Sequence, residues 1–415
     1  MAILEKYFPS GLFAGKRVHL GVTGSIAAYK ALDLLRAFHK SNLLVSVGLT
    51  ASAARFVTPL SFRSLGADRV YSGLFPQGAG QDLDEDFDPF GHLTPGAEAD
   101  AFVIAPVSAT TLARLASGLA DEILSAQALA YPGPLLLAPG MNPRMWANPA
   151  TRENCRILRE RGHIILEPDD GLVACAESGK GKLTDPRLIY LETLRRLSPQ
   201  DFAGKRLVMT MGPTREQWDS VRFWSNHSTG LMGAALAVAA WLRGASVCAV
   251  TGPGCPWLPP GIQRLEAGSA MQMFEAVGEV WSGADYGIFT AAVADFYPKP
   301  HGREKFKKAD SADGFQIEFY PNPDILFTVG QRKKEHQRIV GFAAESSNLE
   351  ENARAKLGRK NADLLVGNRI GGPDSGFAAA TNEVFLVDKS GREEHWPLMP
   401  KAEVAWRILD WLSRL

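Results

Sequence analysis

The chain has 415 residues, 46% of them hydrophobic and 22% charged, and its 45 lysines and arginines match its 45 aspartates and glutamates. That length predicts two or three domains, and that apolar share excludes a mostly disordered chain. Zero net charge gives no argument for nucleic acid as a partner, and apolar runs such as residues 135–138 fall far short of the ~20 residues a membrane-crossing helix needs.

The first ten residues carry charges and no signal-peptide core, so a cytoplasmic protein is expected. Residues 18–23 read as a strand, 26–40 as a helix, 43–49 and 101–105 as strands, 109–118 as a helix and 135–138 as a buried strand. This alternation predicts parallel strands with helices on both faces. Strand-like runs recur near 207–210, 246–250, 286–290, 338–342 and 364–366, with a helix over 234–243 and a hairpin strand over 383–388. Phe13-Ala14-Gly15-Lys16-Arg17 before the first strand is echoed by Phe202-Ala203-Gly204-Lys205-Arg206 before the fifth. Two domains that open alike are expected, 1–196 and 197–415, joined at Leu197-Ser198-Pro199-Gln200-Asp201. Both read as α/β and Rossmann-like with mainly parallel sheets, so ligands belong beyond the carboxyl ends of the strands. Cys155, Cys175, Cys248 and Cys255 are too few for a disulfide framework, and none form a CxxC pair. The acidic stretch 81–88 reads as a solvated loop.

Several strand-end loops carry chemistry. Gly24-Ser25-Ile26-Ala27-Ala28-Tyr29-Lys30 closes a strand and opens a helix, as an anion-binding turn or an ordinary βα turn would. It is not GxGxxG, so a dinucleotide-dependent dehydrogenase is not indicated. Ser108-Ala109-Thr110-Thr111 either caps a helix or holds a second part of the same ligand. Asn142 in Pro139-Gly140-Met141-Asn142-Pro143-Arg144-Met145-Trp146 is a turn residue or an amide that grips substrate. Cys175 lies between Gly171 and Gly179-Lys180-Gly181-Lys182, which predicts a mobile flap carrying a thiol that is either reactive or packed.

Together these segments resemble the flavin-dependent cysteine decarboxylases, those acting on phosphopantothenoylcysteine in particular. Residues 24–30 look like that family's flavin loop, residues 139–146 fit its PxMNxxMW motif, Gly91-His92 matches its catalytic histidine, and Cys175 its acid. Lys182 departs from the family's arginine, keeping charge but not bidentate binding, and the acidic stretch before His92 is longer than the family's. The resemblance implies FMN bound by Gly24, Ser25, Ile26, Thr50, Ser52, Ser108, Ala109, Thr110 and Thr111. It also implies catalysis by His92, Asn142 and Cys175: the carbon next to sulfur is transiently oxidised, CO₂ leaves to give an ene-thiolate, and hydride and proton return. A flavin-carrying regulatory module and a peptidyl-cysteine decarboxylase are the rival readings. The three catalytic candidates together speak against the first, and the second leaves the C-terminal half unexplained.

In the second half, Gly212-Pro213-Thr214-Arg215-Glu216 follows a strand. Ser225-Asn226-His227-Ser228-Thr229-Gly230-Leu231-Met232-Gly233 then leads into a small-residue helix, either a capped helix or an anion site. Lys305, Lys307, Lys308, Lys356 and Lys360 recur near strand-end loops, as a solvated face or as nucleotide phosphates would require. These motifs, with Ala291-Ala292-Val293-Ala294-Asp295, resemble bacterial CTP-using phosphopantothenate–cysteine ligases, and the likeness runs from about residue 14 to 410. It implies CTP with Mg²⁺, 4′-phosphopantothenate and cysteine as partners, and an acyl-cytidylate intermediate. Asn226 and Lys305 would be catalytic, and Asp295, Pro323, Asp324, Ile325, Leu326, Phe342, Lys356 and Lys360 would hold CTP; metal ligands are unknown. It further implies a homo-oligomer with a trimer-based decarboxylase core, up to a dodecamer, and ligase dimers.

Overall fold

The computed structural model describes residues 3–75, 88–302, 304–307, 314–345, 347–369 and 379–415. Residues 81–87 of the acidic stretch and Lys308 lie outside them. The chain forms two compact units, Met1–Glu5 with Ser10–Ser198, and Lys6–Pro9 with Pro199–Leu415.

The first unit is built on β1 (Arg17–Val22), β2 (Leu44–Leu49), β3 (Arg69–Tyr71), β4 (Ala101–Val107), β5 (Leu136–Pro139) and β6 (Ile164–Ile165), all parallel, in the order β3-β2-β1-β4-β5-β6. All seven residues of β4 are buried, which is why this strand reads as an uninterrupted apolar run rather than an alternating one. One core lies between the sheet and the helices Ala109–Ser117, Ile123–Ala130 and Pro149–Glu160, where Phe102, Ile104, Leu112, Leu124, Leu137 and Trp146 pack together. The expected helix over 26–40 is a 3₁₀ turn, Ile26–Tyr29, running into an α-helix, Lys30–Lys40. The expected mobile flap is an antiparallel hairpin of β7 (Asp169–Leu172) and β8 (Ser178–Lys182). Its glycines permit close approach. A Cβ on Gly181 would stand 2.5 Å from the Met141 carbonyl oxygen, and one on Gly179 3.1 Å from Pro143.

The second unit contains β9 (Arg206–Met211), β10 (Arg215–Gln217), β11 (Phe223–Ser225), β12 (Ser246–Thr251), β13 (Gln263–Glu266), β14 (Tyr286–Phe289), β15 (Phe296–Pro298), β16 (Phe319–Pro321), β17 (Arg338–Glu345), β18 (Leu364–Arg369), β19 (Thr381–Asp388) and β20 (Glu393–Pro400). Its main sheet runs β13-β12-β9-β14-β17-β18-β19-β20. The first six strands are parallel and repeat the order of the first unit, and β19–β20 add an antiparallel hairpin at the edge. The helix Leu231–Leu242 is apolar on every side because it is buried on every side, against the sheet and the helix Lys401–Leu412. In both units the strand order reverses beside the first strand, between β1 and β4 and between β9 and β14. That is where a crevice opens in such sheets.

Candidate functional sites

At the crevice of the first unit, three loops are tied together. The Thr23 hydroxyl donates to the Pro106 carbonyl (2.9 Å) and accepts from the Ser108 amide (2.8 Å), joining the ends of β1 and β4. The Ser25 hydroxyl donates to the Gly140 carbonyl (3.0 Å) and accepts from the Ala27 amide, joining β1 to the loop after β5. Gly24 faces the Ser52 loop so closely that a Cβ would lie 2.5 Å from that of Ser52. Ile26, Ser52 and Thr110 are exposed, and Gly24, Ser25, Ser108 and Ala109 half-buried, around this junction.

Two of the expected flavin residues have buried side chains. Thr111 is buried, with its amide and hydroxyl turned to the Ser108 hydroxyl as a helix cap. Thr50 is buried, its hydroxyl capping the Ala53 amide. Thr50 thus caps one helix N-terminus, and Thr111 meets the Ser108 hydroxyl that caps another.

Asn142 and Cys175, 33 residues apart, meet. Asn142 Oδ1 accepts from the Arg144 amide (2.8 Å), capping the helix Pro143–Ala147, and Nδ2 donates to the exposed Cys175 Sγ (3.2 Å). The turn holding the thiol is closed by Val173 and Glu177 (2.9 Å between amide and carbonyl) and by Ala176 at φ 62°. Hydrogen bonds from Asn142 and then Arg144 hold the Glu177 carboxyl below its ordinary range. Beside the flap, burial and then the Lys182 charge hold the Lys30 ammonium low, so two cations share one region. His92 is half-buried on the turn preceding the helix Thr94–Glu98; no hydrogen bond or ion pair joins it to the Asn142–Cys175 pair.

In the second unit, Gly212 takes φ 84°, and a Cβ there would lie 2.3 Å from Cys255 Sγ. Asn226 is exposed and donates from Nδ2 to the Val293 carbonyl (2.9 Å), and Asn322 donates to the Ala294 carbonyl (2.8 Å); both hold the loop bearing Asp295. Asp219 organises the Lys305 segment. Its buried carboxylate accepts from the amides of Val221 (2.7 Å), Arg222 (2.6 Å) and Phe306 (3.1 Å) and from the Arg222 guanidinium (2.8 Å). Burial alone would raise its pKa, but these donors outweigh it and bring the group down to about 2.

The four described lysines do not form one cationic face. Lys305 and Lys307 are exposed, but Lys356 pairs with Glu345 (2.5 Å) and the largely buried Lys360 pairs with Asp324. The carboxylates that β17 and the helix Ile325–Gln331 bring to this end neutralise them. Asp324 also caps that helix through the Phe327 amide (3.0 Å). Ile325 is buried and Leu326 half-buried, both packed on the core; Phe342 is half-buried and Pro323 lies beside the cap. A cavity of about 70 Å³ under the N-terminus of the helix Leu231–Leu242 is lined by Ser228, Phe342 and Thr290, together with Asn368, Asn382 and Lys401. The last three went unnoticed in the sequence. The carbonyl oxygens of Asn368 and Asn382 are buried without partners among the described residues, and burial lowers Lys401 to about 8. Among the described residues there is no cluster of His, Cys, Asp or Glu that could hold a metal ion, and no helix long and apolar enough to cross a membrane.

Two Rossmann-like α/β units, one with an amide–thiol pair over a hydroxyl-rich loop junction and one with a nucleotide-type crevice, define a two-domain enzyme. The Flavoprotein family pattern matches residues 10–198, and that of the DNA/pantothenate metabolism flavoprotein C-terminal domain matches residues 202–415. The chain is 39% identical over 409 residues to the coenzyme A biosynthesis bifunctional protein CoaBC of Bacillus subtilis (strain 168), covering 96% of this chain and 97% of the relative. It is 38% identical over 399 residues to the protein of that name from Escherichia coli (strain K12), covering 96% of each. Among solved structures, it is similar to the C-terminal domain of a coenzyme A biosynthesis bifunctional protein CoaBC (38% identity, 52% of this chain, 97% of that one, TM-score 0.44). It is also similar to a PPC decarboxylase mutant complexed with pantothenoylaminoethenethiol (32% identity, 44% and 98%, TM-score 0.38). The chain belongs to the family of coenzyme A biosynthesis bifunctional proteins. It is a bifunctional enzyme with phosphopantothenoylcysteine synthetase and decarboxylase activities.

Proposed function

We propose that the C-terminal half joins 4′-phosphopantothenate to cysteine with CTP through an acyl-cytidylate, and that residues 1–196 then decarboxylate the product to 4′-phosphopantetheine with FMN. The observation that carries the decarboxylase assignment is the Asn142–Cys175 hydrogen bond beside the Gly24–Ser25 junction. The junction fits a phosphate-bearing flavin. It offers hydroxyls and backbone amides at two helical N-termini, and neither first turn contains an acid. FMN, when bound, supplies the reversible two-electron chemistry that makes loss of CO₂ from a cysteinyl carboxylate possible.

The chain's own groups orient the substrate and move protons. By donating to Sγ, Asn142 leaves the Cys175 S–H free to point into the site and return a proton to the product carbon. On closing over bound substrate, the hairpin that carries the thiol shields that position from water. His92, on its separate turn, acts as base or orienting group for the substrate thiol. In the ligase half, Asn226 spends its amide N–H on the Val293 carbonyl and keeps Oδ1 for the acyl group. Lys305 neutralises charge on the phosphates, and Mg²⁺ arrives with the triphosphate, whose oxygens ligate it. Asp295 and Phe342 border the nucleotide. Lys356 and Lys360 engage it only by exchanging their carboxylate partners. The large apolar side chains exposed on the first unit, Ile26, Tyr29, Phe56, Leu60 and Phe90, support self-association into a trimer-based core, with ligase dimers and up to a dodecamer. Four free cysteines suit a reducing compartment, and we assign the cytoplasm.

The test is incubation with phosphopantothenate, cysteine, Mg²⁺ and either CTP or ATP, with products identified by mass. CMP and pyrophosphate should appear with phosphopantetheine, and the purified protein should release FMN on denaturation. ATP working where CTP does not would overturn the nucleotide assignment. A colourless protein that cannot be reconstituted with FMN would overturn the flavin assignment.

A further inference from the structure

Beneath the His92 turn runs a chain of buried polar groups that the chemistry above does not use. His19, in the middle of β1, is wholly buried, as is Gln127 on the helix Ile123–Ala130. Gln127 Nε2 donates to the Gly91 carbonyl at 2.7 Å, and its Oε1 lies 3.0 Å from His19 Nε2, while His19 Nδ1 lies 2.8 Å from Ser46 Oγ on β2. The Gly91 carbonyl can only accept, so the Gln127 amide N–H must face it and Oε1 must accept from His19. His19 therefore carries its proton on Nε2, and Ser46 donates to Nδ1. Burial, offset in part by the Gln127 bond, pushes the ring down to about 4, so it is neutral across the physiological range.

The surroundings are shaped for this pair. A Cβ on Gly48 would stand 2.6 Å from Gln127 Oε1 and 2.9 Å from His19 Nε2. Phe102 meets the His19 ring edge-on at 4.5 Å. Tyr71 closes over Gly91, where a Cβ would lie 2.9 Å from its ring, and the Asp88 carboxylate accepts from the Phe90 amide at 2.8 Å.

Two buried polar side chains, His19 and Gln127, could be replaced by apolar ones at little cost to stability, so their presence calls for another role. The bond to Gly91 fixes the plane of the peptide that carries His92. We infer that His19 and Gln127 are positioning residues for His92, holding its turn in the orientation that decarboxylation needs. The inference rests on the proposed role of His92.

Gln127→Met keeps side-chain length and removes the donor. In ligand-free protein, amide exchange over residues 90–93 should quicken. Decarboxylation kcat should fall about ten- to hundredfold, as a displacement of about 1 Å costs, with KM, flavin content and ligation near the parent's. His19→Leu combined with Gln127→Met leaves no buried histidine N–H unpaired; it should fold and show the same signature. In a His92→Asn background, Gln127→Met should cost nothing further.

Parent-like exchange and kcat in the variants overturn the inference. So do a loss that follows flavin content, an equal loss in the His92→Asn background, and failure of both variants to fold. Intact decarboxylation by His92→Asn alone is a different result: it removes the role of His92 and this inference with it.

Discussion

Gly181→Ala tests whether the amide–thiol pair is the working arrangement of the decarboxylase. Gly181 lies on β8, its carbonyl accepting from the Met141 amide at 2.9 Å, and its φ is outside the left-handed region. Alanine therefore brings no backbone strain, only a methyl group 2.5 Å from the Met141 carbonyl oxygen and 3.1 Å from the Pro143 nitrogen. Both are backbone atoms of the loop that carries Asn142. An ordinary contact begins at 3.4 Å, so the hairpin must withdraw by about 0.9 Å, beyond what angle bending takes up cheaply. The Asn142–Cys175 bond starts at 3.2 Å; the same withdrawal stretches it to about 4 Å, where a sulfur hydrogen bond is lost. A misplacement of that size costs about a hundredfold in rate. The assay is phosphopantetheine formation from phosphopantothenoylcysteine, with flavin content and ligation measured on the same sample. Decarboxylation should fall by that order while ligation holds. A parent-like kcat, or a loss explained by missing flavin, would refute the reasoning.

Three other outcomes follow from the geometry. Cys175→Ser should still release CO₂ but accumulate the unsaturated ene-thiol, because a hydroxyl returns the proton far less readily than a thiol; normal phosphopantetheine by mass would show the thiol to be a bystander. Lys305→Gln should lower ligation by about a hundredfold or more, as loss of a charge-stabilising group does, and leave decarboxylation of supplied substrate unchanged; joint loss of both activities with the fold intact would contradict this. Asp219, lowered from 3.8 to about 2, contributes stability that is fully present above pH 4 and lost as pH falls through 2. Acid unfolding monitored by tryptophan fluorescence should therefore be weaker in that window for Asp219→Asn, and an unchanged acid limb would remove its role in holding the Lys305 segment.

The fold class was legible because both sheets are parallel and covered on two faces, so β4, β5, β9 and β14 appear as short continuous apolar runs. The edge strands β3, β6 and β13 were not, being two to four residues long and partly exposed. The helix Ile123–Ala130 also escaped notice, because its exposed Leu129 and Ala130 are apolar while its polar Ser125 and Gln127 are buried, so no polar face marks a period. Residue types at strand ends pointed to the right loops, since glycine, serine and asparagine are what turns and anion sites both require. Which hydroxyls are exposed was decided by tertiary structure alone: Thr50 and Thr111 lie within two residues of the exposed Ser52 and Thr110, yet their side chains are buried and bonded to the Ala53 amide and the Ser108 hydroxyl. The same holds for Lys356 and Lys360, whose partners Glu345 and Asp324 lie 11 and 36 residues away on other elements. The Asn142–Cys175 contact and the Ser46–His19–Gln127–Gly91 chain join residues 27 to 108 positions apart. Sequence determines the local preference of each segment, whereas a hydrogen bond between distant loops exists only once the sheet has set their separation and register.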